Sequence, residues 1–178
     1  MKEVRILDKD FELFIDADTI QKSIKRLAID VNKDLEGKDP IFIAILNGSF
    51  MFAADLMKHV TIPCEITFVR IASYKGMNST NEVREVLGLK ESIKDRTIVI
   101  VEDIVDTGNT IEALIKQFEM QGPKEIKIAT LLFKPKALVR DIKPDYVAIE
   151  IPNDFIVGFG LDYDGFGRNL QDIYKIKL

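Results

Sequence analysis

An α/β fold built on a mainly parallel, twisted sheet flanked by helices is predicted by three features of the sequence. The run Ile41-Phe42-Ile43-Ala44-Ile45-Leu46 has the length and β-branched content of a strand buried on both faces. Residues 97–133 read as strand, helix, strand, a unit whose two strands lie parallel with a right-handed crossover. With 178 residues, 47% of them hydrophobic, the chain is long enough for one well-buried core and short for two, so one domain over residues 1–178 is expected.

The elements follow in order. Asp18-Thr19-Ile20-Gln21 has the form of a helix start capped by Asp18, after which Ile20, Ile24, Leu27, Val31 and Leu35 recur at helical spacing and Gly37 supplies a stop. Pro40 precedes the first strand, 41–46, which ends in a turn at Asn47-Gly48-Ser49. A short helix from about Phe50 to Lys58 and a strand from Glu65 to Ala72 follow, the latter on the pleated-surface character of Ile66 and Phe68. Between Ser73 and Arg96 the sequence turns polar, with Gly76, Asn78, Ser79, Thr80 and Asn81 close together, and reads as a long mobile loop. Order returns with the strand from Thr97 to Val101, an acidic turn, a helix carrying Ile111, Leu114, Ile115 and Phe118, and a break at Gly122-Pro123. Strands at Ile126–Phe133 and Asp145–Ile151 and a Gly- and aromatic-rich tail complete the chain.

Composition excludes several classes of partner. No run reaches the roughly 20 apolar residues that span a bilayer, and Met1-Lys2-Glu3-Val4-Arg5 leads into no signal segment, so a soluble cytoplasmic protein without membrane contact is expected. Cys64 is the only cysteine, which suits a reducing compartment and leaves no cysteine pair for a disulfide or a metal. A net charge of -4 offers no basic field to nucleic acid, so any polyanion must be held locally, by loops, helix ends or a metal.

The most informative stretch is Val101-Glu102-Asp103-Ile104-Val105-Asp106-Thr107-Gly108-Asn109-Thr110, where a strand hands over to a helix, the place where open α/β sheets bind ligands. Thr107, Gly108, Asn109 and Thr110 offer backbone N–H groups and two hydroxyls to a phosphate. The carboxylates beside them would repel that phosphate and must face something hydroxylated or cationic. A ribose 5-phosphate meets both needs. Ile104 and Val105 separate Asp103 from Asp106, which excludes the aspartyl phosphatase pattern of two Asp one residue apart, and no Walker loop is present.

This decapeptide resembles the phosphoribosyl pyrophosphate signature of the type I phosphoribosyltransferases, and three further segments resemble the hypoxanthine-guanine branch of that family. The resemblance implies the family fold, with a small hood formed by the terminal segments and a flexible loop, and a magnesium-dependent enzyme of purine salvage. It implies that Leu46-Asn47-Gly48-Ser49 is the pyrophosphate loop, with Leu46–Asn47 a candidate cis peptide. Asn47 stands where many relatives carry Lys, which removes a charge from that loop. Ser73-Tyr74 resembles the start of the family's mobile lid, whose closure excludes water. Lys134, Phe155-Ile156-Val157-Gly158, Leu161-Asp162-Tyr163 and Arg168 resemble its purine and pyrophosphate set: Lys134 donates to the exocyclic oxygen, Phe155 stacks on the base, the Ile156 backbone reads its edge, and Arg168 contacts pyrophosphate. Glu102, Asp103 and Asp162 are the implied magnesium residues, and Asp106 is the implied general base. A Lys donor favours a 6-oxopurine over adenine. Still open are xanthine as acceptor and a nucleotide-sensing regulator without turnover. The family also implies a homodimer or homotetramer.

Overall fold

In the computed structural model, which describes residues 2–73 and 83–177, the elements run β1 (Glu3–Ile6), β2 (Lys9–Ile15), α1 (Ala17–Asp34), β3 (Ile41–Leu46), α2 (Phe50–Met57), β4 (Glu65–Ser73), β5 (Val83–Leu87), β6 (Thr97–Val105), α3 (Asn109–Glu119), β7 (Glu125–Phe133), β8 (Tyr146–Glu150), β9 (Ile156–Val157) and β10 (Ile173–Ile176). Five strands form a parallel sheet in the order β4-β3-β6-β7-β8, and β5 adds an antiparallel edge beside β4. The mainly parallel sheet expected from the sequence is therefore present.

Strand β3 explains why the sheet needs helices on both sides. Its side chains alternate, so Phe42 and Ala44 pack with residues of α1 and α2, while Ile41, Ile43 and Ile45 pack with Ile111, Leu114 and Phe118 of α3. All five are buried, and each large apolar side chain taken fully out of water stabilises the fold by about 1.5–3 kcal/mol. Helix α1 presents Ile20, Ile24, Leu27 and Val31 to the same core, with Leu35 just beyond its end, as the spacing predicts.

Three local expectations are corrected. Asp16, not Asp18, caps α1: its carboxylate accepts from the Thr19 N–H at 2.8 Å, and Asp18 lies within the first turn. The apolar stripe does not separate two acids two residues apart, and only the extended backbone at Asp16 settles which one caps. The loop expected over 73–96 contains β5, paired with β4 from Ser73↔Val83 to Arg70↔Leu87, while Tyr74 and the rest of 74–82 lie outside the described residues. Finally, Glu102 and Asp103 do not sit in a turn. Pairing of β3 with β6 ends at Ala44↔Val101, whereas β7 stays paired with β6 to Val105↔Phe133. The acidic residues thus occupy a strand with one edge released, and the chain turns only at 106–108.

The terminal segments form a second sheet, β1-β2-β10-β9, antiparallel throughout. This matches the hood implied by the family resemblance, although none of its strands was read individually from the sequence. Asp172 joins it to the core. Its buried carboxylate accepts from the Ala17 N–H at the start of α1 (2.8 Å), from Lys2 and from the Tyr174 hydroxyl.

Candidate functional site

Where β3 releases the edge of β6, a cavity of about 290 Å³ opens, walled by Gly48, Glu102, Asp103, Asp106, Thr107 and Thr110 among others. Its floor is the turn at 106–108, and α3 starts behind it with Gly108 at the N-cap position. Helix starts leave N–H groups unpaired, and here Gly108 supplies no side-chain cap, although the Asn109 N–H donates to Thr107 Oγ1 at 3.4 Å. The arrangement offers donors to an anion at one end and carboxylates at the other.

Those carboxylates are short of water. Glu102 is buried at 6% exposure, and that burial, with the neighbouring Asp103 second, pushes its carboxyl well above the usual range. Burial also raises Asp103, although the Ile104 N–H donates to it at 2.9 Å and Arg168 lends positive charge. Two adjacent acids that resist ionisation make a site that gains from a cation. Among the described residues no group of three or more His, Cys, Asp or Glu is placed to hold a metal. Two carboxylates suffice for magnesium, which commonly takes one or two from the protein and completes its shell with water and substrate phosphate.

The loop at 47–49 closes the other side of this cavity. The Leu46–Asn47 peptide is cis. A Cβ on Gly48 would lie 1.8 Å from Asp103 Oδ2, and a Cβ on Gly160 would lie 2.0 Å from the Gly48 carbonyl oxygen. Only glycines allow the carboxylate, this loop and the C-terminal segment to approach so closely. Asn47 is exposed, and its side chain is not part of the cavity wall.

A second cavity, of about 280 Å³, lies on the other side of the same turn. Asp103, Ile104 and Asp106 line both cavities, and here they are joined by Lys134, Phe155, Ile156, Leu161 and Asp162. Lys134, at the end of β7, is buried at 7% exposure and lies 3.4 Å from Asp106 Oδ2. Phe155 lines this cavity and is 48% exposed. Arg168 does not line either cavity. It donates to the Gly160 carbonyl and pairs with Asp162 Oδ1, both at 2.7 Å, so it braces the residue that does.

The structure therefore gathers Gly48, Glu102, Asp103, Asp106, Thr107, Gly108, Thr110, Lys134, Phe155, Ile156 and Asp162 around two adjoining spaces. Asn109 turns away from the cavity, and its side-chain oxygen accepts from Arg140 Nε at 2.7 Å. Ser73 ends β4 and Tyr74 falls outside the described residues. Leu161, named in the sequence only as part of the segment Leu161-Asp162-Tyr163, lines the second wall, whereas Gly160 against the Gly48 loop was missed. The glycine pair flanking Phe159 was the one available signal for such close packing.

A model of the phosphoribosyl transferase domain matches residues 16–164. The chain is 43% identical over 174 residues to the hypoxanthine-guanine phosphoribosyltransferase of Lactococcus lactis subsp. lactis, an alignment covering 96% of this chain and 94% of that protein. Identity to the Streptococcus pyogenes serotype M3 enzyme of the same name is 42% over 175 residues, covering 97% of each. Among solved structures, a hypoxanthine-guanine phosphoribosyltransferase from Bacillus anthracis matches with a TM-score of 0.89 and 36% identity over 93% of this chain and 98% of that one. The Trypanosoma cruzi hypoxanthine phosphoribosyl transferase gives a TM-score of 0.89 at 32% identity, over 98% and 95%.

Proposed function

The chain belongs to the phosphoribosyltransferase family, and on that premise we propose that it is a purine-salvage enzyme: it transfers the 5-phosphoribosyl group from phosphoribosyl pyrophosphate to hypoxanthine, with guanine as a second acceptor, giving IMP or GMP and pyrophosphate. The observation that carries this is the pair of cavities meeting at Asp106, one with unpaired N–H groups and carboxylates, the other with an apolar ring and a buried lysine. A sugar phosphate fits the first and a flat base with an exocyclic oxygen fits the second.

The roles follow from that division. The backbone from Thr107 to Thr110 holds the 5-phosphate at the start of α3, and Glu102 and Asp103 orient the sugar hydroxyls. Phe155 stacks on the purine, the Ile156 backbone meets its edge, and Lys134 donates to the 6-oxygen. In the free enzyme the Lys134 ammonium lies against Asp106, so a bound 6-oxopurine takes over that donor. Asp106, on the wall between the two spaces, then accepts the proton that the purine ring nitrogen loses as it bonds to the anomeric carbon. Arg168 and the Gly48 loop bind the departing pyrophosphate, while Ser73 and Tyr74 begin the lid that excludes water. Glu102 and Asp103, with Asp162 for a second ion, would hold magnesium, which would neutralise charge on pyrophosphate and orient the sugar hydroxyls.

No described helix is long and apolar enough to cross a membrane. A cytoplasmic location without a nucleic-acid partner accords with the single cysteine and the net charge of -4, and the family resemblance implies a homodimer or homotetramer. The direct test is incubation with phosphoribosyl pyrophosphate, magnesium and each of hypoxanthine, guanine, xanthine and adenine, with product nucleotides separated by chromatography. IMP and GMP should form, less or no AMP, and nothing in EDTA. Binding of phosphoribosyl pyrophosphate without product from any base would overturn the assignment in favour of a sensor.

A further inference from the structure

One interaction reaches the purine cavity from the far end of the chain. Phe155 does not stand on the parallel sheet. Its ring is packed edge-on by Tyr163, with centroids 5.9 Å apart and planes at 86°, and lies 6.3 Å from the wholly buried Phe11 of β2. Tyr163 and Phe11 are themselves 6.1 Å apart, so three rings form one cluster. The Tyr163 hydroxyl donates to Asp8 Oδ1 at 2.8 Å, and Asp8 lies in the turn joining β1 to β2. The backbone at Tyr163 exchanges hydrogen bonds with Phe166, which fixes where the ring stands, and its neighbour Asp162 lines the same cavity as Phe155.

We propose that Tyr163, latched by Asp8, is a positioning residue for Phe155, so that the hood sheet and not the parallel sheet sets the plane on which the purine stacks. An edge-on neighbour fixes the tilt of a ring while leaving its face free, and Phe155 is left half exposed on the cavity side. Without the Tyr163 ring, Phe155 loses its edge-on neighbour, keeps the tilted Phe11 ring 6.3 Å away, and can swing out of the stacking plane. The hydroxyl bond to Asp8 keeps the Tyr163 ring from following. It also holds the Asp8 carboxyl below its ordinary range, consistent with a carboxylate that accepts there.

This inference rests on the purine subsite assigned above, and the experiment separates the two. Calorimetric Kd values are measured for IMP and for ribose 5-phosphate, and KM values for hypoxanthine and for phosphoribosyl pyrophosphate. Wild-type protein that binds IMP no more tightly than ribose 5-phosphate would remove the subsite itself. With that preference in place, Tyr163→Leu should raise the Kd for IMP and the KM for hypoxanthine roughly 2- to 10-fold, with the ribose 5-phosphate and phosphoribosyl pyrophosphate values unmoved. Tyr163→Phe and Asp8→Ala should each give a smaller rise of about 2- to 3-fold, and the double variant no more than either alone, since each removes the same bond. Asp8→Asn should rescue, because its amide oxygen still accepts. Equal losses for both ligands in Tyr163→Leu, unchanged purine binding, or additive effects of Tyr163→Phe and Asp8→Ala would each overturn the proposal.

Discussion

The two halves of the cleft are built by different means. The half assigned to phosphate comes mainly from one stretch, the end of β6 and the turn into α3, where residues 102–110 follow one another along the chain, with the end of β3 and Gly48 closing it. The purine half is assembled from the end of β7, the segment around Phe155 and the loop at 161–162, with Phe11 and Asp8 of the N-terminal hairpin supporting it from behind. A contiguous site is fixed as soon as its strand and helix pack. A composite one depends on how two sheets dock, and a shift between them moves its members separately.

Asp106 stands on the wall common to both halves, so its replacement gives the sharpest division between binding and chemistry. Asp106→Asn should lower kcat by about 10²–10⁴-fold, the usual contribution of a positioned general base, with KM for both substrates changed little. Steady-state rates would detect this at once. Unchanged turnover would mean that the proton leaves by another route and that Asp106 serves only to hold Lys134.

Gly160 tests whether the halves are mechanically joined. A Cβ there would sit 2.0 Å from the Gly48 carbonyl, backbone that has no rotamer to escape into, whereas a Cβ on Gly165 meets nothing within 4 Å. Gly160→Ala should therefore cost roughly 1–3 kcal/mol in stability and raise KM for both substrates, while Gly165→Ala, also at positive φ, carries only the backbone strain of about 1–2 kcal/mol. Thermal melts with paired KM measurements check it. A Gly160→Ala defect confined to the purine would show the halves to be independent.

That contrast also explains what was legible in the sequence. The decapeptide 101–110 stood out because its carboxylates, hydroxyls and backbone N–H groups are adjacent in the chain, and most of it lines one cavity. The β3 run could be read because burial on both faces leaves an unbroken apolar segment. Strands β1, β2, β9 and β10 were not read individually. They are two to seven residues long and pair the first residues of the chain with the last, so no nearby turn or periodicity announces them. The same limit hid the Tyr163–Asp8 bond, whose partners are 155 residues apart. It also hid the length of β6, because continued pairing with β7 and not local propensity carries that strand through Glu102 and Asp103.

The smallest effect, at most about 1.4 kcal/mol per pH unit for each proton involved, is a pH response of opposite sign in the two regions. Burial raises the carboxyls of Glu102 and Asp103 in the phosphate half, so above the ordinary values of 4.5 and 3.8 the folded state holds protons that the unfolded chain has released. Stability measured with magnesium chelated should fall as pH rises from that range, until the folded-state values are passed. Asp172, which ties the hood to α1, is held below its ordinary 3.8, by its Lys2 partner first of all. Its contribution is present above 3.8 and is lost as pH falls below it through the folded value. Melting curves across pH for wild type, Glu102→Gln and Asp172→Asn separate these: the first variant should flatten the slope on the alkaline side, the second the slope on the acid side. A Glu102→Gln curve parallel to wild type would mean that the buried pair is already ionised, with a compensating cation or water at the carboxylates, and that the phosphate half is no more sensitive to pH than the hood.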